Sequence, residues 1–401
     1  MTVFAAKSAA EQWVSYLSTW GTIGVDLFLV LSGYLITSIL LESKGREGYF
    51  KSFYGRRVLR IFPLYYAVLF AALVILPRFL PPDRAARFGQ IQGDEVYYWT
   101  YLQNFAIARA GTWRHGVLDI TWSLAIEEQF YLLWPTIVLL CSPRSLGRVA
   151  VALFVGSLGF RVVGQLFFGM TPFAAYVLTP CRLDGLAAGT LVAVLARRPG
   201  GLAPLVPRAR LVALGAGIVA LGVVVAERLA GRAFDDGAGE GKVSTLVGYS
   251  LVAAAAGGLL VMVVEAREGS LLHRVFASRA LRFLGTYSYG LYLIHLPIRA
   301  LIRDRVYGPR WVNPPRAFLE IAGSELPGQL LFTAGCVALV SVAAWLVYHL
   351  YERWFLRLKR FFPTGAQRAP VAAGASGSEV GAGGGEAGGG AFAERKNGSQ
   401  T

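Results

Sequence analysis

Nine stretches of this chain stay apolar for about the length of a bilayer core, and that feature limits what the chain can fold into. A helix needs about 20 predominantly apolar residues to cross roughly 30 Å of hydrocarbon. Such stretches lie near 21–41, 61–80, 122–141, 149–168, 182–196, 210–227, 244–264, 281–301 and 329–350, the fifth being short. Charged side chains make up 16% of the 401 residues and hydrophobic ones 55%, whereas soluble domains carry about 25% charged residues. The mean hydropathy of +0.50 agrees. A cytosolic globular enzyme, a disordered chain and a disulfide scaffold are all excluded. The expected fold is all-α, a polytopic transmembrane bundle of about nine helices.

Three regions are expected. A polar segment, 1–20, precedes the bundle at 21–360, and a Gly/Ala/Ser-rich tail, 361–401, follows it. The tail has too little apolar surface to fold and reads as disordered. The segment around 95–108, with Tyr97, Tyr98, Trp99, Tyr101 and Phe105, is too polar to span and reads as one interfacial helix.

Charge gives the orientation. Loops 42–60, 142–148, 197–209 and 265–280 and the region after 350 are rich in Lys and Arg, whereas 81–121, 169–181, 228–243 and 302–328 carry most of the loop acids. Alternating basic loops follow the positive-inside pattern, so the basic set is expected in the cytoplasm of a multi-pass protein of the cell (plasma) membrane. The formal charge of +15 then belongs to loops facing the bilayer, not to a nucleic-acid surface. With 42–60 inside, the first stretch runs inward from an outer N-terminus, although residues 1–20 hold no signal-peptide core. Two readings follow, an upstream helix that the chain as given lacks, which is the expectation, or a native N-out topology.

Ionisable groups inside such spans cost roughly 2.5–3.5 kcal/mol each on insertion scales and are functional candidates by default. Asp26, Glu127, Glu128, Arg182, Asp184 and His295 all fall near the outer ends of their spans by residue count. Ser123, Glu127 and Tyr131 recur at i, i+4, i+8, and Ser288, Tyr292 and His295 at i, i+4, i+7, each set a polar stripe on one helix. The structural alternative is a set of interhelical hydrogen bonds with an ion pair between Arg182 and an acid. On the inner side Arg57 and Arg60 share a helical face with Arg56 adjacent, a geometry suited either to phosphates or to anionic lipid headgroups.

Other chemistries find no support. There is no G-x-S-x-G elbow, H-E-x-x-H or P-loop, and no metal site is expected. Cys141, Cys181 and Cys336 read as packing residues. His115 with Asp119 reads as a surface loop feature, and His273 and the His349–Glu352 pair as capping or interfacial groups. No internal repeat argues for an inverted-repeat transporter.

Five blocks resemble the membrane acyltransferase-3 family of integral-membrane O-acyltransferases. They are Gly24 to Ile36, Tyr54 to Tyr66, Trp122 to Tyr131, Arg182 to Leu186 and Ser288 to His295, in the family's order over 20–360. The resemblance implies a bundle of about ten helices, an acyl-CoA cosubstrate such as acetyl-CoA used from inside, and a carbohydrate or glycoside acceptor acylated outside. Arg57 and Arg60 match the R-x-x-R motif associated with the donor. The family's first helix carries an Arg or Lys and, eleven positions on, a histidine implicated in catalysis; Lys7 precedes Gly21 here, but no histidine does. Glu127 or Glu128 and His295 are thus the candidate bases, with Asp26 orienting and Ser123, Tyr131, Tyr292 and Arg182–Asp184 in support. A permease or flippase, or a truncated inactive acyltransferase, remains the alternative. An in-frame apolar segment bearing the histidine is expected in the genomic sequence upstream of Met1, and reading that sequence checks it.

Overall fold

Each apolar stretch folds as a helix, and unequal helix lengths set the geometry of the bundle. The computed structural model describes residues 11, 23–79, 93–113, 116–230, 243–306 and 323–363. Among the described residues there is no β-strand. In chain order the helices are α1 (Ile23–Ser43), α2 (Tyr49–Phe79), α3 (Glu95–Trp99), α4 (Gln103–Ala110), α5 (Trp122–Leu140), α6 (Pro143–Phe167) and α7 (Pro172–Val177). They continue with α8 (Leu183–Leu195), α9 (Val206–Leu229), α10 (Ser244–Val264), α11 (Leu271–Phe276), α12 (Arg279–Val306) and α13 (Leu326–Phe361). Residues 1–10, 12–20 and the tail from 364 lie outside the described residues, as does His115.

Among the described residues six helical stretches are long and apolar enough to cross a membrane: α1, α2, α6, Ala203–Glu227 (which holds most of α9), α10 and α13. α5 and α12, at 19 and 28 residues, have the length but carry more polar and charged groups. α8 has 13 residues, about 20 Å of helix, and lies almost wholly buried against α1, α6 and α10. α9 packs on α10 and turns Leu211, Leu214, Ile218 and Leu221 outward, as a helix apolar on all sides does in lipid.

Two expected boundaries move. α2 begins at Tyr49, twelve residues before the apolar count starts, because Tyr49, Phe53 and Ile61 bury one face while arginines occupy others. The charges that hid this part from a hydropathy count thus ride on helix, not loop. The expected interfacial helix at 95–108 is two short helices, α3 and α4. Tyr101 breaks them apart with φ 57, in the left-handed region, at a cost of about 1–2 kcal/mol for an L residue. Its ring stacks on Tyr65 at 4.3 Å and on Phe62 at 5.6 Å. Gln129 Nε2 donates to its carbonyl at 2.8 Å. Tertiary contacts override the helical continuation here.

Prolines interrupt α2, α5 and α12 at Pro63, Pro135 and Pro297. Hydroxyls from neighbouring helices donate to carbonyls around two of these breaks. Tyr289 reaches Ile61 O and Tyr351 reaches Pro63 O, while Tyr54 and Tyr49 reach Leu132 O and Pro135 O. A membrane interior tolerates helix breaks where such partners exist. The three cysteines are free, with Cys181 and Cys336 buried and Cys141 partly so.

α1 and α8 meet backbone to backbone. A Cβ on Gly189 would overlap the Val30 carbonyl oxygen, and one on Gly33 would overlap that of Leu186. Small residues allow this approach where no hydrophobic force separates helix from lipid. Gly189→Ala is expected to cost about 1–3 kcal/mol or more by overpacking, read as a lower unfolding temperature in detergent. Gly24→Ala, with nothing within 4 Å of a new Cβ, is expected to leave that temperature unchanged.

Candidate active site

The α1–α8 contact brings the first group of ionised side chains together. Arg182 precedes α8 and Asp184 lies in its first turn, while Asp26 faces them from the first turn of α1. Arg182 Nη2 pairs with Asp26 Oδ1 at 2.6 Å, and Asp184 Oδ2 pairs with Arg161 Nη2 of α6 at 2.8 Å. Both arginine side chains are fully buried. The expected acid partner of Arg182 is therefore Asp26, and Asp184 belongs to a second arginine. Arg161 also donates to Ser250 Oγ at 2.6 Å, Leu246 O at 3.1 Å and the Cys181 carbonyl, and Ser250 donates to Asp184 Oδ2 at 2.7 Å. Arg182 lies over the rings of Tyr249 at 4.0 Å and Tyr176 at 5.4 Å, which supply cation–π stabilisation where its other N–H groups lack acceptors. An apolar cleft of about 560 Å³ between α1, α9 and α10 reaches Asp26 and Tyr249.

The second group joins α1, α2 and α5. Tyr131 Oη donates to Glu127 Oε1 at 3.1 Å and is hydrogen-bonded to Ser32 Oγ. The Arg57 guanidinium lies over the Tyr131 ring at 5.0 Å and over Phe53 at 5.9 Å. Residue counting from an α2 start at 61 separates Arg57 from Glu127. The true start at Tyr49 carries Arg57 two turns into the helix, and one tyrosine spans the remaining gap.

α12 is less unified than its sequence spacing predicts. Tyr292 Oη bonds Ser123 Oγ at 2.5 Å and donates to Ile120 O, and its ring stacks on Phe28 at 6.3 Å. His295 Nδ1 sits 2.8 Å from Tyr292 O and 3.2 Å from Leu291 O of its own helix. Ser288 leaves the stripe, donating to Gly285 O of its own helix at 3.0 Å. Asp119, expected on a surface loop, is buried in the 3-10 turn Gly116–Thr121.

Glu128 sits beside a third group, a box of aromatic rings. Its Oε1 is buried with no hydrogen-bond partner, and Tyr65, Tyr66, Tyr101 and Tyr289 are its electrostatic neighbours. Glu127 and Glu128, adjacent in sequence, thus face different surroundings.

The arginine triplet also divides. Arg56 Nε donates to Phe362 O at 2.5 Å, and Ser52 Oγ to Pro363 O at 2.9 Å, so the end of α13 straps across α2. The Phe362 ring fills the space beside Gly55. Arg56 is therefore held by the strap, while Arg57 turns inward and Arg60 shares an electrostatic neighbourhood with Glu352 and Lys359. Among the described residues no group of three or more His, Cys, Asp or Glu is placed to hold a metal ion.

Arg161, Tyr249, Tyr176 and Lys359 are absent from the residues singled out by sequence, and Tyr101 figures there only as one aromatic of the 95–108 segment. Arg161 sits inside the fourth apolar stretch, and the intramembrane-charge rule applied to Asp26 would have found it. The aromatic residues carry no such signal.

Comparison with known proteins completes this picture. The family model described as Acyltransferase domain matches residues 2–348. A peptidoglycan O-acetyltransferase, OatA, of Listeria monocytogenes is 31% identical over 78% of this chain and 50% of its own length. A putative peptidoglycan O-acetyltransferase, YrhL, of Bacillus subtilis is 30% identical over 70% of this chain and 44% of its own length. An O-acetyltransferase, OatA, of Staphylococcus aureus is 29% identical over 73% and 48%. The chain thus spans about half the length of the curated relatives it matches. No solved structure matches it.

Removing one member of a buried ion pair strands the other charge, at about 3–5 kcal/mol. Arg161→Leu alone is expected to lower the unfolding temperature sharply in detergent. Arg161→Leu with Asp184→Leu is expected to recover most of that loss.

Proposed function

This chain belongs to the acyltransferase family whose domain covers residues 2–348, and from that premise we propose that it moves an acetyl group from acetyl-CoA to a hydroxyl of an extracytoplasmic carbohydrate. The observation that carries the reading is the contact chain from Arg57 through Tyr131 to Glu127. It links the basic end of the bundle to buried carboxylates on α5. The names of the relatives make peptidoglycan the first acceptor to test.

In this reading the basic loops face the cytoplasm of a plasma-membrane protein. Arg57 and Arg60 bind donor phosphates, with Lys359 adding charge at the same end, and the pantetheine arm carries the thioester inward. Glu128 is the base, because its Oε1 is buried and uncommitted, whereas Glu127 is tied to Tyr131. The acceptor oxygen attacks the thioester carbonyl as Glu128 takes its proton. The new C–O bond forms, the C–S bond breaks, and CoA leaves as a thiolate that recovers the proton. Buried donors stabilise the oxyanion most where water is excluded. His295, whose ring lies 6.1 Å from that of Tyr292, supports proton movement. Arg182–Asp26 and Arg161–Asp184 hold the helices in register.

The test uses the full chain in detergent, with acetyl-CoA as donor and a soluble N-acetylglucosamine oligomer as acceptor. Glu128→Gln is expected to lower kcat by about 10²–10⁴-fold with the donor KM unchanged. Arg57→Ala with Arg60→Ala is expected to raise the donor KM. Solute flux in vesicles without thioester consumption would overturn the reading in favour of a permease.

A further inference from the structure

The aromatic box beside Glu128 contains a second polar atom without a partner. Tyr101 is 6% exposed, and its hydroxyl is buried with no hydrogen bond. Its backbone is held at φ 57, a conformation that bulky residues seldom adopt and that clusters at functional sites. The ring is clamped by Tyr65 at 4.3 Å, Phe62 at 5.6 Å and Tyr66 at 5.9 Å. Gln129, the residue after Glu128, holds the Tyr101 carbonyl at 2.8 Å, so one turn of α5 carries both the clamp and the carboxylate. The Glu128 charge and the Tyr289 hydroxyl are among the electrostatic neighbours of Tyr101.

The neighbouring tyrosines are spoken for. Tyr65 donates to Tyr98 O at 2.7 Å, Tyr66 to Trp99 O at 3.0 Å and Tyr289 to Ile61 O at 2.5 Å. Phenylalanine would stack in the Tyr101 position equally well. A buried hydroxyl left unpaired costs stability, and native structures rarely keep one without a reason.

We infer that Tyr101 and Glu128 form a two-point subsite for the acceptor hydroxyl, Tyr101 donating a hydrogen bond to its oxygen and Glu128 Oε1 accepting its proton. This rests on the transfer reaction proposed above and adds the residue that positions the acceptor. A carboxylate accepts and a phenol donates, so the pair is complementary to a group that does both. An alcohol is such a group.

Binding, read apart from turnover, tests this. Tri-N-acetylchitotriose is titrated into the full chain in detergent micelles by calorimetry, and acetyl-CoA into the same preparations. Wild type is expected to bind both. Tyr101→Phe and Glu128→Gln should each weaken the sugar about ten-fold, the order expected for losing one hydrogen bond, and leave acetyl-CoA within about two-fold. The double variant should be little weaker than either single one, because both groups hold one hydroxyl. Tyr97→Phe, a tyrosine of α3 outside the box, should bind like wild type. Unfolding temperatures within a few degrees of wild type show that the variants are folded. Sugar binding by folded Tyr101→Phe equal to wild type would overturn the subsite, as would wild type with no saturable sugar binding. If Tyr101→Phe fails to fold, unweakened binding by Glu128→Gln overturns it and a ten-fold loss there supports it. Wild type that binds the sugar but not acetyl-CoA would defeat the transfer reading and leave the subsite standing.

Discussion

Two crossed ion pairs, Arg182–Asp26 and Arg161–Asp184, are the constraint on which the arrangement of α1, α6 and α8 depends. All four side chains are buried, and each arginine meets its acid only when the three helices stand in one register. In a low-dielectric interior the penalty for separating such charges is severe. Displacing α8 by one turn, about 5.4 Å, would strand both arginines. The contact at Gly33 and Gly189 makes the pairing reachable, since any bulk there would hold α8 away from Asp26. Backbone proximity and charge pairing are therefore one requirement expressed twice.

From that anchored core the chemistry is carried by α5. One helix turn presents Glu127 toward Tyr131 and Arg57, while Glu128 looks into the tyrosine box and Gln129 reaches Tyr101 and Asn104 at the start of α4. Adjacent positions on a helix point about 100° apart. Three consecutive polar residues can therefore address three neighbouring elements. The run is polar because its sides are all occupied, not because it faces water.

The fold was largely legible in the amino-acid order, since span length is imposed by the solvent. Every apolar stretch became a helix, and the short stretch at 182–196 became a helix too short to cross alone. What escaped was set by tertiary contact. The start of α2 at Tyr49 lay hidden under arginines, and the break at Tyr101 has no glycine or proline to announce it. Of the site, Glu127, Glu128, Asp26, Arg182 and Asp184 stand out as charges in apolar runs, yet their pairing does not follow from sequence. Arg161 was equally visible and passed over. Tyr101 was visible only as one aromatic among several, because what sets it apart is an unmet hydroxyl and a backbone angle.

The strap at the end of α13 lies beyond the family match, which ends at residue 348, yet it touches the arginine-bearing face of α2. Its two grips are main-chain carbonyls, Phe362 O and Pro363 O, taken by Arg56 and Ser52. A latch made of backbone oxygens is indifferent to most of the side chains that carry it, but it responds to every residue inserted or deleted. Apart from Phe362, whose ring fills the space beside Gly55, evolution can thus rewrite the letters of this strap while its count of residues stays fixed, like a buckle whose leather can change but whose holes cannot move.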